Sequence, residues 1–195
     1  MSRALVIAWM FSTMTVGASA HAQTWQIHEG RVVVVCPLTV GGRFEARSAA
    51  VTGQVTIPEG SRELAGAFLV DLRTLTTGIS LRDAHLRDNY LEVSRGAGYA
   101  TAVLDAISLD APAPAPGRSA TLGFRATLTL HGRANPASGT AQVTHRGDRI
   151  EVKVSFPLRI DAYEIARPAY LGVGVTNQVE INVRATLKPA ATPSS

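Results

Sequence analysis

The sequence is poor in reactive groups. It has one cysteine, Cys36, so no disulfide can form within the chain, and the setting VVVVCPL marks a buried small apolar residue rather than a reactive thiol. The five histidines, His21, His28, His85, His131 and His145, stand singly, and none lies at a metal-ligand spacing from another or from Cys36. There is no G-x-S-x-G elbow, no H-E-x-x-H, no C-x-x-C and no P-loop. The glycine string LGVGVTN around Gly172 and Gly174 lacks a third glycine and precedes a strand rather than a helix, so it is not a dinucleotide site. Asp71, Asp83 and Asp88 are close in sequence, but strand-end placement accounts for Asp71 and helix capping for Asp83. These absences point away from an enzyme, and no cofactor or metal is expected.

Charge of one sign is also missing. The formal net charge is +4, falling to +3 if Arg3 is removed, with Lys and Arg scattered among Asp and Glu. Together with 6% aromatic content, this gives no electrostatic footprint for a nucleic acid. The long apolar run is confined to Ala4 through about Val16, too short for a span of roughly 20 residues. Arg3 precedes it, and Ala18-Ser19-Ala20 and Ala20-His21-Ala22 satisfy the small-x-small rule, so residues 1–22 are expected to be a signal peptide. Export follows, with the periplasm as the expected compartment. Residues 23–187 then make one domain, long enough to bury a core unaided, and KPAATPSS from Lys188 is expected to be a disordered tail.

What fills that domain is alternation with period two, the mark of half-buried antiparallel strands. Val51, Val55 and Ile57 oppose Thr52, Gln54 and Thr56, and Leu64, Phe68, Val70 and Leu72 share one face. In TLGFRATLTLHG, Leu122, Phe124, Ala126, Leu128 and Leu130 alternate with Thr121, Arg125, Thr127, Thr129 and His131. Ile150, Val152, Val154, Phe156, Leu158 and Ile160 form another apolar face, and Val179, Ile181, Val183 and Leu187 a further one. Turns are expected at Gly41-Gly42, Pro58-Glu59-Gly60, Asn135-Pro136 and Gly147-Asp148, and APAPAPG from Ala111 to Gly117 is a loop. Long strands with short turns suit an all-β antiparallel barrel of about eight strands, whose closure removes exposed edges. A β-sandwich with a filled core competes.

One short helix interrupts the strands after Asp71. Ser80 is expected as its N-cap with Asp83 three residues on, Asp83 and Arg87 form an i,i+4 ion pair, and Leu86 and Tyr90 make an apolar edge. Its surroundings, VDLRTLTTGISLRDAHLRDNYLEV, resemble the signature of the YceI-like family of bacterial lipid-binding proteins. There a "vDl.sl.Tg" strand end leads into an "RD.hL" helix, here Val70, Asp71, Leu72, Thr77, Gly78, Arg82, Asp83, His85 and Leu86. GGRFEARSAAVTGQVTI, LTLHGRANPASGTAQV and FPLRIDAYEIARPAYLGVGVTNQVEINVRATL resemble further stretches of the family pattern in the same order. DNYLEVSRGAGYATAVL departs from it, with Leu91 where an aromatic is common.

The resemblance implies a lipocalin-like barrel that carries a polyisoprenoid lipid, such as a quinone or a prenyl pyrophosphate, and serves a membrane quinone-linked cytochrome. From the residues themselves, the tail is expected against Phe68, Val70, Leu86, Leu91, Phe124, Leu128, Val154, Phe156 and Ile181, which would fill a dry core if the pocket were closed. Arg82, His85 and Arg87, near a helix N-terminus suited to an anion, are expected to meet the head group, against the alternative that they solvate the helix and pair with Asp83 and Asp88. A binder of another hydrophobic ligand such as a fatty acyl amide, and an exported interaction domain with a filled core, are the alternatives. Pairing into a homodimer is left open.

Overall fold

The computed structural model describes residues 22–170 and 173–191; the expected leader lies outside them apart from Ala22, as do residues 192–195 of the expected tail. The strands are β1 (Ala22–Pro37), β2 (Arg43–Ser48), β3 (Val51–Pro58), β4 (Glu63–Asp71), β5 (Thr101–Leu109), β6 (Ser119–Leu130), β7 (Arg133–Arg146), β8 (Arg149–Arg159), β9 (Ala169–Tyr170), β10 (Val173–Gly174) and β11 (Gln178–Pro189). All but β9 and β10 join one antiparallel sheet in the order β11-β8-β7-β6-β5-β4-β3-β1-β2, and β11 also pairs with β1, which closes it. β2 and β3 face β1 in a single register, Val32↔Ser48 and Gln26↔Gln54, so they are two halves of one stave. The result is the expected closed barrel of eight strands, not a sandwich.

Closure bends the wall, and glycine allows the bend. Gly53 on β3 and Gly66 on β4 have φ of +128° and +120°, and a Cβ on either would stand 2.2 or 2.3 Å from a facing carbonyl oxygen. Only residues without side chains let the two strands approach so closely.

Chain direction sorts the connections onto two ends. The segments 38–42, 72–100, 131–132, 160–170 and 173–177 lie at one end, called here the helix end; 59–62, 110–118 and 147–148 lie at the other. At the far end buried Trp25 meets His145 edge-on, with ring centroids 5.2 Å apart, and His145 Nδ1 lies 3.2 Å from Pro114 O. The helix end is covered by residues 72–100: a 3-10 turn (Leu72–Thr74), α1 (Ser80–His85), a π-helical turn (Leu86–Tyr90), a second 3-10 turn (Val93–Arg95) and α2 (Ala97–Ala100). The small β9–β10 hairpin sits at this end too, joined to the β1–β2 turn by a Leu38↔Val175 bridge and by Thr39 N donating to Gly174 O at 2.9 Å.

Three local expectations are corrected. Asn135-Pro136 is not a turn: both residues lie in β7, opposite Leu128 and Thr127. The missing proline donor is tolerated because β7 pairs with β8 only from Thr140 onward, so Pro136 sits on a stretch flanked by β6 alone. The turn is His131-Gly132, with φ of 54° and 71°, closed by the Leu130↔Arg133 pair as a two-residue hairpin of the primed type requires. Lys188 and Pro189 are strand rather than tail, paired with Gln26 and Trp25. Ser80 is not the helix cap; Ile79 holds that position with no side-chain bond.

Candidate functional site

The alternating strands deliver their apolar faces to one place. A cavity of about 280 Å³ runs inside the barrel, and among the described residues its lining contains no charged side chain and only Tyr90 and Cys36 are able to make a side-chain hydrogen bond. Phe68 and Val70 reach it from β4, and Phe124 and Leu128 from β6. Val154 and Phe156 come from β8 and Ile181 from β11, while Leu86 and Leu91 descend from the cover. Phe124 and Phe156 meet edge-to-face with centroids 5.8 Å apart, the arrangement aromatic quadrupoles favour. All nine residues assigned to the lipid tail thus border this cavity.

Arg82 and His85 do not. Both are exposed on α1 and outside the lining; the Arg82 guanidinium stacks 4.7 Å above the Phe44 ring. Arg87 turns back, its Nη1 3.4 Å from Leu75 O and 3.5 Å from Arg73 O, so the expected Asp83–Arg87 ion pair does not form. No polar side chain from the expected head-group set reaches the cavity.

The cover is held by polar anchors that local sequence rules assign differently. Asp83 is buried, and its carboxylate accepts from Thr76 Oγ1, Thr77 N and Thr77 Oγ1, each at 2.6 Å. It braces the loop before α1 instead of capping the helix. Desolvation pushes its pKa up, but these hydrogen bonds and the charge of Arg87 together outweigh that and hold the carboxyl below its ordinary range. The π-helical turn follows, with Leu91 N donating to Leu86 O at 2.9 Å, and it places Leu86, Tyr90 and Leu91 together on the cavity.

A second anchor ties the cover to the wall. Buried His131 has Nδ1 2.9 Å from Tyr163 O and Nε2 2.9 Å from Glu92 Oε2. Both neighbours only accept, so both contacts are hydrogen bonds when each ring nitrogen carries a proton. Arg95 bridges the same Glu92 carboxylate at 2.7 Å and stacks 4.4 Å from the Tyr99 ring, which meets His131 edge-on at 4.8 Å. The hydrogen bond from Arg95, opposed by desolvation and reinforced by His131, holds the Glu92 carboxyl below its usual range. Among the described residues no buried side-chain polar atom lacks a partner, and no group of three metal-ligating side chains is found.

The lone thiol behaves as its setting suggests. Cys36 borders the cavity, and burial pushes its pKa up to about 11, so it is a protonated, apolar wall residue at neutral pH.

Comparison with known proteins gives one sequence family and a set of similar folds. The profile of the YceI-like domain family matches residues 18–187. A polyisoprenoid-binding domain from Saccharophagus degradans, implicated in plant cell wall breakdown, superposes with a TM-score of 0.67 at 16% identity, covering 86% of this chain and 99% of that one. Burkholderia cenocepacia BcnA gives 0.63 at 16% identity over 84% and 96%. The Campylobacter jejuni YceI protein gives 0.52 at 8% identity over 96% and 94%. These likenesses concern the fold. No curated protein matches the sequence significantly.

Proposed function

The chain belongs to the YceI-like domain family, and from that premise we propose that it is a lipid-binding protein that holds a polyisoprenoid chain in the barrel. The observation that carries the reading is the cavity of about 280 Å³ whose lining, among the described residues, is uncharged. Such a space offers a hydrocarbon tail a dry environment and offers a polar metabolite nothing. The Saccharophagus degradans domain, which is named for polyisoprenoid binding, shares the fold and supports the choice of ligand class.

Magnitudes define what the pocket must do. Each five-carbon isoprene unit gains roughly 3 to 4 kcal/mol on leaving water, at about 0.8 kcal/mol per CH₂. The ligand, however, starts in a membrane, where its tail is already dry, so tail transfer is close to neutral and selectivity falls to cavity length and shape. About 280 Å³ lies at the lower edge of the roughly 300–1,000 Å³ typical of small-molecule pockets. The tail accommodated is therefore short, or its far end stays under the helical cover near Tyr90. The leader-like start at Arg3 to Ala22 supports action outside the cytoplasm, in the periplasm, as a carrier between membrane-bound users such as a quinone-linked cytochrome.

The test is to express the chain with its leader, purify it without detergent and identify extracted lipid by mass spectrometry. A stoichiometric prenyl compound is the expected result. A fatty acyl amide would replace the ligand, and a ligand-free protein that also refuses added prenyl alcohols would leave the interaction-domain alternative.

A further inference from the structure

The large apolar side chains that the structure leaves exposed are not spread over the molecule. Among the described residues they are Val40 (67% exposed), Ile79 (50%), Leu81 (68%) and Val173 (37%), and every one lies at the helix end. Three separate segments supply them, and contacts tie those segments together. Val40 and Val173 flank the Thr39–Gly174 contact, where Thr39 N donates to Gly174 O at 2.9 Å and Gly174 N to Thr39 Oγ1 at 3.1 Å. Ile79 and Leu81 adjoin Arg82, whose guanidinium lies on Phe44, one residue from the start of β2.

Cations accompany these apolar tips. At the helix end Arg47, Arg73, Arg95, Arg133 and Arg159 each bridge a carboxylate. Arg43, Arg82 and Arg167 are exposed and, among the described residues, bridge none. Arg43 begins β2 beside the Val40 turn, and Arg167 precedes Pro168, whose carbonyl accepts from Val175 N at 2.9 Å next to the hairpin. Of the nearby acids, Asp83 is turned inward onto Thr76 and Thr77, Glu45 is taken by Arg47, and Asp88 stands further along the cover.

We propose that the helix end is a membrane-docking surface, with Val40, Ile79, Leu81 and Val173 entering the interface of an anionic bilayer and Arg43, Arg82 and Arg167 meeting lipid phosphates. Apolar tips surrounded by unpaired cations complement such an interface, where buried apolar area and attraction to anionic lipid add. The inference rests on the lipid-binding reading for its purpose. A tail that is strongly disfavoured in water at every isoprene unit needs its carrier to touch the bilayer while the ligand crosses. The far end, where Trp25 packs on His145, has no exposed large apolar side chain among the described residues.

Flotation with mixed phosphatidylcholine–phosphatidylglycerol vesicles tests this, with pure phosphatidylcholine as control and farnesol binding from solution as an independent measure of the cavity. The full chain is expected to float with anionic vesicles. Leu81→Asp should lower partitioning by about tenfold or more, and Arg43→Ala about fivefold, the latter only on anionic vesicles and less at high salt. Both positions are exposed, so farnesol binding should be unchanged. Failure of the wild type to float, or equal flotation of Leu81→Asp, overturns the docking surface while farnesol binding keeps the carrier reading. Refusal of farnesol with flotation intact does the reverse. A vesicle-independent dimer that Leu81→Asp dissolves, with flotation unaffected, would make the rim a self-association surface and overturn the proposal.

Discussion

The barrel wall and its cover are held by different forces. Ladder hydrogen bonds and an apolar inner face recur along β1 to β8 and β11, interrupted where β7 before Thr140 leaves β8 and at the bulges of β4 and β5, so wall stability is spread over many positions. Residues 72–100 have only short turns of helix, none long enough to stand alone in water, and they depend on a few polar anchors. Inside the cover Asp83 holds the Thr76–Thr77 loop through three hydrogen bonds and Arg87 reaches Leu75 O and Arg73 O; its polar ties to the wall are the paired Arg47 and Thr76 backbones, Ser48 on Thr74, Gly132 N donating to Gly98 O, and Glu92 with His131. A cover built this way can open without unfolding the wall, because its polar ties to the wall are few and separate. That suits a barrel whose occupant must enter and leave.

The strongest way to break this contrast is Asp83→Ala. Removing a buried acceptor of three hydrogen bonds strands Thr77 N and both threonine hydroxyls, and should cost about 2 to 4 kcal/mol by chemical denaturation. Hydrogen exchange in 72–100 should accelerate far more than in β6 to β8; uniform acceleration would mean that cover and wall unfold as one. The same carboxylate sets a pH dependence. Its folded pKa is depressed, so its contribution is complete above the unfolded value of about 3.9 and is lost as pH falls through the lower folded value. Exchange in the cover should therefore rise in acid below about pH 4, and Asp83→Asn should blunt that response.

Next in size is His131→Asn. Asparagine tolerates the positive φ of 54° at this turn position but cannot reach both Tyr163 O and Glu92 as the imidazole ring does. A loss of about 1 to 3 kcal/mol is expected, with Val93 to Ala100 released first. Retained protection there would show that the backbone bond from Gly132 N to Gly98 O suffices to hold that side.

The two regions also differ in how openly the sequence displays them. The wall was readable because period two is a local pattern: Leu122 to Leu130 and Ile150 to Ile160 announce their inner face within a single strand, and Phe124, Leu128, Val154 and Phe156 consequently line the cavity. The cover's apolar edge, Leu86 with Tyr90, followed from the same reasoning at helical spacing. Its anchors did not. Asp83 matched a capping rule for its own helix, yet the two hydroxyls and the amide at Thr76 and Thr77 compete for it and win; the pair Thr76-Thr77 before Gly78 was the signal available. Glu92 and His131 are far apart in sequence and joined only by the closed barrel, so no local pattern carries their pairing. Arg82 and His85 were assigned to a head group because helix starts favour anions, but the short α1 projects both to solvent.

A smaller effect on stability sharpens the contrast from the wall side. Phe124→Trp or Phe156→Trp adds volume where the cavity already provides room, so stability should change by less than about 1.5 kcal/mol. The accommodated chain should shorten, read as the longest prenyl alcohol retained. Unchanged chain length would place the tail elsewhere, under the cover instead of between the two rings.

Cys36 offers the smallest perturbation and the most direct view of the interior. Cys36→Ala removes one sulfur from a lining that already borders open space, so the cost should be about 1 kcal/mol. In the wild type, burial holds the thiol at a pKa of about 11, so at neutral pH the reactive thiolate is scarce and alkylation by a small apolar maleimide should be slow. Its rate then measures opening. Loosening the cover by Asp83→Ala should raise the rate, because the reagent must pass Leu86, Tyr90 and Leu91 to reach the cavity from the helix end. A bound prenyl chain should lower it by occupying the same space. If the rate responds to Asp83→Ala but not to ligand, the cover controls access to a cavity that the ligand does not fill; if it responds to neither, entry is through the far end past Trp25 and His145.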